Sequence, residues 1–351
     1  MEPTYGLKPP DLPRVILRKE LGRADAEAIL GTGSLIRVRH GAYIEAESVA
    51  TASWAQRERT ALARCVAVIR ASNERRVISH ESAAMVHGAR LWRTPELVHV
   101  IQDTRQGGRG TADVRRHAVD LPNSDVTRVQ GLPVTTLERT VLDCARTLHP
   151  RDAMVVADSA LRILGAPDIW RRAESELKMK DLRADLLQRL ESGAARRGLV
   201  RARAVLSAAT GFAESPGESV LRWIALSRGL GQPIAQFEVT TQRGRYFSDL
   251  GWRFARTLDN GAVHFIAVHA EFDGRVKYNT DGADSASDVV VREKLREDAL
   301  REAGGIVLRF VTEDLQQPDA VARRLANAMP AQSLPRGMPG LYLPEPAAGI
   351  R

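Results

Sequence analysis

The chain has 351 residues, 44% hydrophobic and 27% charged, which suits about two domains and excludes disorder over most of its length. No run of about 18 apolar residues occurs, which excludes a spanning helix. The net charge of +8 is unevenly spread: +5 over residues 1–150, +4 over 151–210 and −1 over 211–351, so a polyanion is drawn to the first two segments.

Residues 1–13 hold four prolines and read as an arm. MEPTYGLKPPDLPR shows no basic stretch leading into an apolar one, so no secretory leader is expected. A compact unit follows over 14–50. RADAEAIL is a short helix with Ala24, Ala28 and Ile29 inward, stopped at Gly31 and Gly33. In LIRVRHGAYI, Ile36 and Val38 alternate with Arg37 and Arg39, and Gly41 offers the turn of a basic two-stranded ribbon. Helix plus ribbon sketches a winged helix-turn-helix.

Residues 53–71 have helical periodicity, ESAAMVHGA is helical, and ELVHVIQD is a strand. DLPNSDVTRVQGLPVT reads as strands and turns, and TTLERTVLDCARTL as a helix capped by Thr135 or Thr136. Residues 51–165 are expected to form an α/β domain and 166–212 a helical linker. Residues 213–330 run α-β-β-β-α-β. SPGESVLRWIALSRGL opens with Ser215 as cap, then come IAQFEVTT, RYFSDLGW, AVHFIAVHAEF, the helix SASDVVVREKLREDALREA and the strand IVLRFV. Residues 331–351 read as a flexible tail. The expected class is therefore multi-domain α/β.

Three places in the last domain carry clustered acids: Glu218 on the opening helix, Asp249 at the end of the second strand, and Glu271 with Asp273 at the end of the third. Residues i and i+2 of a strand share a face, so Glu271 and Asp273 lie side by side, and Asp249 on the adjoining strand can join them. Such carboxylates repel unless a cation sits among them, and hard oxygen donors suit Mg²⁺ or Mn²⁺. The metal would activate water and neutralise charge growing on a phosphate.

The segments ESPGES, FSDLGW, AEFDG and EKLREDALREAGGIVLRF resemble the PD-(D/E)xK nuclease superfamily, nearest its very-short-patch repair branch. The resemblance implies a restriction-endonuclease-like fold. It makes Asp249, Glu271 and Asp273 metal ligands, with Glu218 the supporting acid. The usual lysine position holds Asp273; Lys277 or Lys294 could supply the missing cation, and Arg309 faces the site.

The front part, VILRKEL…LIRVRHGAYI, VISHESAAMVHGARLW and GLPVTTLERTVLDCAR, resembles AbiEi-type antitoxins, winged-helix proteins of type IV toxin–antitoxin systems. This implies double-stranded DNA as partner, repression of its own promoter, and antagonism of a nucleotidyltransferase-type toxin. Arg37 and Arg39 on the ribbon, with Arg18 and Arg23 flanking the short helix, are the candidate DNA contacts. Only six of the 51 basic residues are lysine, a genome-composition bias that weakens arginine abundance as a sign of phosphate binding.

Cys65 and Cys144 are too few for a disulfide framework, which makes a cytoplasmic location the default. Ser79 reads as an N-cap and His80 as packing. His87, His99 and His117 show no ligand spacing, so zinc is not expected. His269 shares a face with Glu271 but reads as a packing residue, and Arg139 with Asp143 form an i,i+4 pair. Three functions remain open: a DNA-binding antitoxin-like regulator with a nuclease domain, a non-catalytic repressor, and a nuclease effector of phage defence.

Overall fold

The computed structural model describes residues 7–21, 34–46, 53–72, 74–102, 112–193, 196–242, 244–257, 260–261, 263–274, 304–330, 337–338 and 340–343. The protein is mixed α/β with three sheets among these residues, and it divides into two compact units, Met1–Thr147 and Leu148–Arg351.

In the first unit, β1 (Ile16–Leu17), β2 (Leu35–Arg39) and β3 (Ala42–Glu45) form an antiparallel sheet in the order β1-β3-β2. The expected ribbon is thus β2–β3, turned at Gly41 with φ +70°, and it gains a third strand from the segment before it. The helix expected at RADAEAIL lies outside the described residues.

A second, five-stranded sheet has β4 (Arg76–Ile78), β5 (Val98–Gln102), β6 (Val114–His117), β7 (Val126–Val129) and β8 (Leu132–Thr135) in the order β6-β5-β4-β8-β7. Gln130 and Gly131, both at positive φ, make the β7–β8 turn. Helices α1 (Ser53–Arg70), α2 (His80–Val86) and α3 (Leu137–Thr147) complete the unit. Thr136 is the residue that caps α3, its hydroxyl accepting the Arg139 N–H at 3.3 Å.

One apolar core joins both sheets. Val15, Leu17, Val38 and Ile44 of the ribbon pack in the same cluster as Leu62, Val66, Ile78, Val100 and Val134. Arg64 of α1 donates to the Val38 carbonyl at 2.9 Å, and Arg70 donates to that of Val15. The ribbon is therefore continuous with the α/β part rather than a separate bead. Part of the expected arm is tied down too: Gln130 Nε2 donates to the Pro10 carbonyl at 2.8 Å.

In the second unit, α4 (Pro150–Gly165), α5 (Arg172–Ser192) and α6 (Leu199–Ala208) precede α7 (Pro216–Ser227). Then come β9 (Ile234–Thr241), β10 (Gly244–Thr257), β11 (Val263–Asp273), β12 (Gly305–Val311) and α8 (Pro318–Ala328). The sheet order is β12-β11-β10-β9, antiparallel except for the parallel β11–β12 pair. A parallel neighbour needs a crossover, and the helix expected between these strands, residues 285–303, lies outside the described residues.

The compact division falls one helix earlier than the expected boundary at 165. A buried ion pair, Asp158 of α4 with Arg222 of α7, each side chain 1% exposed, ties α4 into the second unit. The expected linker supplies α5 and α6 of the same unit. Part of the expected loose tail packs as well: Leu341 is buried, and its carbonyl accepts the Trp223 indole N–H at 2.9 Å.

Candidate functional site

The ribbon presents its arginines unequally. Period-two alternation buries Val38 and leaves Arg37 exposed, where it meets the Arg39 carbonyl and His40. Arg39 is instead paired with Asp113, its Nε 2.8 Å from Oδ2. That pairing neutralises a charge expected to meet DNA. Arg18 is exposed beside the turn, its N–H donating to the Gly41 carbonyl at 2.9 Å. Arg23 lies outside the described residues.

Of the acids in the second unit, Glu271 and Asp273 end β11 and Glu218 lies on α7. Ser215 caps α7 as expected, its hydroxyl accepting the Glu218 N–H at 3.2 Å. Glu218 is buried and accepts the Glu214 N–H at 2.8 Å and a longer bond from Gln236 at 3.5 Å. Burial, reinforced by the Asp249 charge, pushes its carboxyl up to about 8. Asp249 lies inside the long β10 rather than at a strand end, and its Oδ2 accepts the Phe272 N–H at 2.8 Å.

The β10–β11 register begins where Leu250 pairs with Ala270; Asp249 stands one residue before it, near the end of β11 that carries Glu271 and, two residues on, Asp273. Glu271 is in register with Arg309 of β12, whose Nε lies 3.9 Å from its Oε2. Lys277 and Lys294 lie outside the described residues. His269 is fully buried, with Nδ1 2.9 Å from the Ser248 hydroxyl, which is a packing role.

A cleft of about 660 Å³ is lined by Arg172, Glu176, Lys180 and Arg183 of α5, by Arg222 of α7 and by Pro233–Ala235; Glu218, Asp249, Glu271 and Asp273 do not line it. Arg172, ion-paired with Glu176 at 2.7 Å, donates to the Gln236 carbonyl at 2.8 Å, and the Gln236 side chain reaches Glu218 at 3.5 Å, so Gln236 links one cleft residue to one acid. Gln236 sits at φ +49°, in the left-handed region that a glutamine rarely adopts. Backbone strain of this kind concentrates at functional sites.

Three histidines also meet in the first unit, against expectation. His99 lies on β5, His117 ends β6, and His80 opens α2, so residues spread over 38 positions converge at one side of the sheet. Their ligating atoms all lie within 4.8 Å of one another; among the described residues no other group of three or more His, Cys, Asp or Glu does so. Glu218, Asp249, Glu271 and Asp273 thus do not reach that spacing.

Spacing rules look for ligands close in sequence and pass over residues that three separate strand ends bring together. The strand that ends at His117 has four residues and the one before His80 has three, too few for alternation to show in the sequence. Burial chiefly keeps these rings uncharged: His80 falls to about 2, His99 and His117 to about 4.

The chain is 26% identical over 202 residues to two proteins of Mycobacterium tuberculosis, "Uncharacterized protein MT2308" of strain CDC 1551 / Oshkosh and "Uncharacterized protein Rv2248" of strain H37Rv. The match takes in 57% of this chain and spans 63% of the length of those relatives. No family model and no solved structure matches. No helix among the described residues is long and apolar enough to cross a membrane.

Proposed function

We propose that this chain is a DNA-binding, antitoxin-like regulatory protein whose second unit is a nuclease-like domain acting on DNA phosphodiesters with Mg²⁺ or Mn²⁺. The observation that carries this reading is the junction at Gln236. There Arg172, from a cleft that also holds Lys180 and Arg183, is linked through Gln236 to a buried carboxylate, Glu218, held protonated by its surroundings and by Asp249. Cations of the cleft suit a phosphate backbone, and the acids suit a metal that meets the scissile group.

The carboxylates of Asp249, Glu271 and Asp273 are the hard donors that a divalent ion takes, and such an ion would have to draw them together, since no three of these acids have ligand oxygens within 4.8 Å of one another. Glu218 would be freed of its proton by such a charge. The ion supplies an activated water and charge neutralisation when bound. The protein's own part is to hold Asp249 and Glu271 across a strand pair, and to hold Glu218 through the Ser215 cap. The restriction-endonuclease-like fold, the winged helix and the toxin partner belong to this proposal, supported by the motif order and by the α-β-β-β order of α7 and β9–β11.

A second reading, a non-catalytic repressor, is favoured by Arg309 standing 3.9 Å from Glu271, where a cation would otherwise sit. One assay separates the two. Purified full chain is incubated with supercoiled plasmid and Mg²⁺ or Mn²⁺ beside an Asp249→Ala, Glu271→Ala double variant. Nicking by the wild type alone supports the enzyme. DNA retention without nicking supports the repressor, and neither retention nor nicking removes both.

A further inference from the structure

We propose that His80, His99 and His117 form a binding site for one zinc-class divalent transition-metal ion, distinct from the acids of the second unit. Neutral imidazole nitrogens suit Zn²⁺, Co²⁺ or Ni²⁺ and do not suit Mg²⁺. Three protein nitrogens with a fourth position left to water is a common arrangement for zinc.

The geometry assigns a ligating atom to each ring. His80 Nδ1 is engaged by the Ser79 hydroxyl at 3.0 Å, which leaves Nε2. His99 Nε2 points to the Glu81 carboxylate at 3.7 Å, which leaves Nδ1. That Nδ1 lies 3.3 Å from His117 Nε2. Two nitrogens bound to one zinc at ~2.05 Å and a tetrahedral angle stand about 3.3 Å apart. Metal entry then needs the proton between His99 Nδ1 and His117 Nε2 to move to an outer ring nitrogen, and a small turn of the His80 ring out of its stack on His117 at 3.7 Å.

The supporting groups are those that metal-bound histidines use. Ser79 on His80 and Glu81 beside His99 would fix ring orientation, and Ser82 accepts the His99 N–H at 2.9 Å to hold β5 against α2. His80 adopts φ +52°, a strained position for a residue with a side chain, and it does so as the first residue of α2. Two arginines act on the cluster. Arg139 is paired with Asp125 and Asp143, so its charge is largely offset, and Arg115 pairs in register with His99. Arg115 would draw an anion towards the metal's open position.

The test uses the full chain without a histidine tag, stripped of metal by chelator and titrated with Co²⁺, then Zn²⁺. Expected are a tetrahedral ligand-field spectrum saturating at about one ion per chain and displacement of Co²⁺ by Zn²⁺. Excess Zn²⁺ should raise the melting temperature by about 5 °C.

His117→Gln, at the least buried of the three positions, should weaken binding at least about tenfold while the circular dichroism is retained. His99→Ala should do the same, with His117→Gln as the safeguard if it fails to fold. An Asp249→Asn, Glu271→Gln double variant should keep the zinc site intact, so the two metal proposals stand or fall separately. Absence of stoichiometric Co²⁺ or Zn²⁺ on the folded protein would overturn the proposal. So would unchanged affinity in His117→Gln, or loss of binding only in the acid double variant.

Discussion

Asp158 Oδ2 and Arg222 Nε lie 3.3 Å apart in the interior of the second unit, with each side chain 1% exposed. Asp158 also accepts the Thr210 N–H at 2.8 Å, and Arg222 donates to the Ala208 carbonyl. The pair joins α4 to α7, the helix that carries Glu218 four residues before Arg222. Removing one partner strands the other charge in a dry interior. Asp158→Ala should therefore cost about 3–5 kcal/mol, whereas Asp158→Leu with Arg222→Met should recover most of it. Urea denaturation of the three proteins measures this; a mild single variant would mean that water reaches the pair.

Glu218 gives stability a pH dependence of unusual sign. Its carboxyl is raised to about 8 in the fold, against an ordinary value of 4.5. Between those values the folded protein holds a proton that the unfolded chain has released. Stability from this group is therefore present in full below pH ~4.5 and falls as pH rises towards ~8. In metal-free protein, Glu218→Gln should become progressively more stable than wild type between pH 5 and ~8, by up to a few kcal/mol. Parallel unfolding curves across that range check it.

Gly251, in the FSDLGW segment, faces the Phe237 ring, and a methyl there would lie 2.3 Å from Cγ and 2.6 Å from Cβ. Those atoms are the root of a buried side chain on the paired strand β9, not a flexible tip. Gly251→Ala should cost about 1–3 kcal/mol through overpacking, and Gly251→Ala with Phe237→Leu should cost less. Thermal melts decide between them.

Arg37 and Arg39 should separate in their effects although they are two residues apart. Arg37→Ala should leave the melting temperature unchanged, weaken retention of double-stranded DNA and lower the salt slope by about one. Arg39→Ala breaks the 2.8 Å pair with the part-buried Asp113 and should lower stability as well. Filter binding across a salt series, beside melts, reads both. Equal effects on DNA retention and on stability would contradict the assignment.

Cys65 and Cys144 are both buried and free, and burial drives the Cys65 thiol up to about 12. Neither thiol should react with an aromatic disulfide reagent near neutral pH until the first unit unfolds, and then both should react. Fast reaction of the native protein would show that the packing around α1 and α3 opens locally.

Local patterns were legible from the residues themselves. Alternation in LIRVRHGAYI foretold β2 and β3, Ser215 with Pro216 foretold the start of α7, and the i,i+4 spacing foretold the Arg139–Asp143 pair, 3.0 Å apart. Each is governed by residues within a few positions of one another, where side-chain period and capping chemistry act directly. Short strands were not legible. β4 and β6, of three and four residues, carry too little period to read.

What tertiary structure alone decided is which distant groups meet. Nothing near Arg39 in the chain announces Asp113, nor anything near Glu271 the approach of Arg309. His80, His99 and His117 looked like unrelated packing residues until three strand ends set them together. Sequence spacing reports contacts along one element. Sheet order and crossover connections assign the contacts between elements, and they are set by burial of the whole apolar core rather than by any one segment.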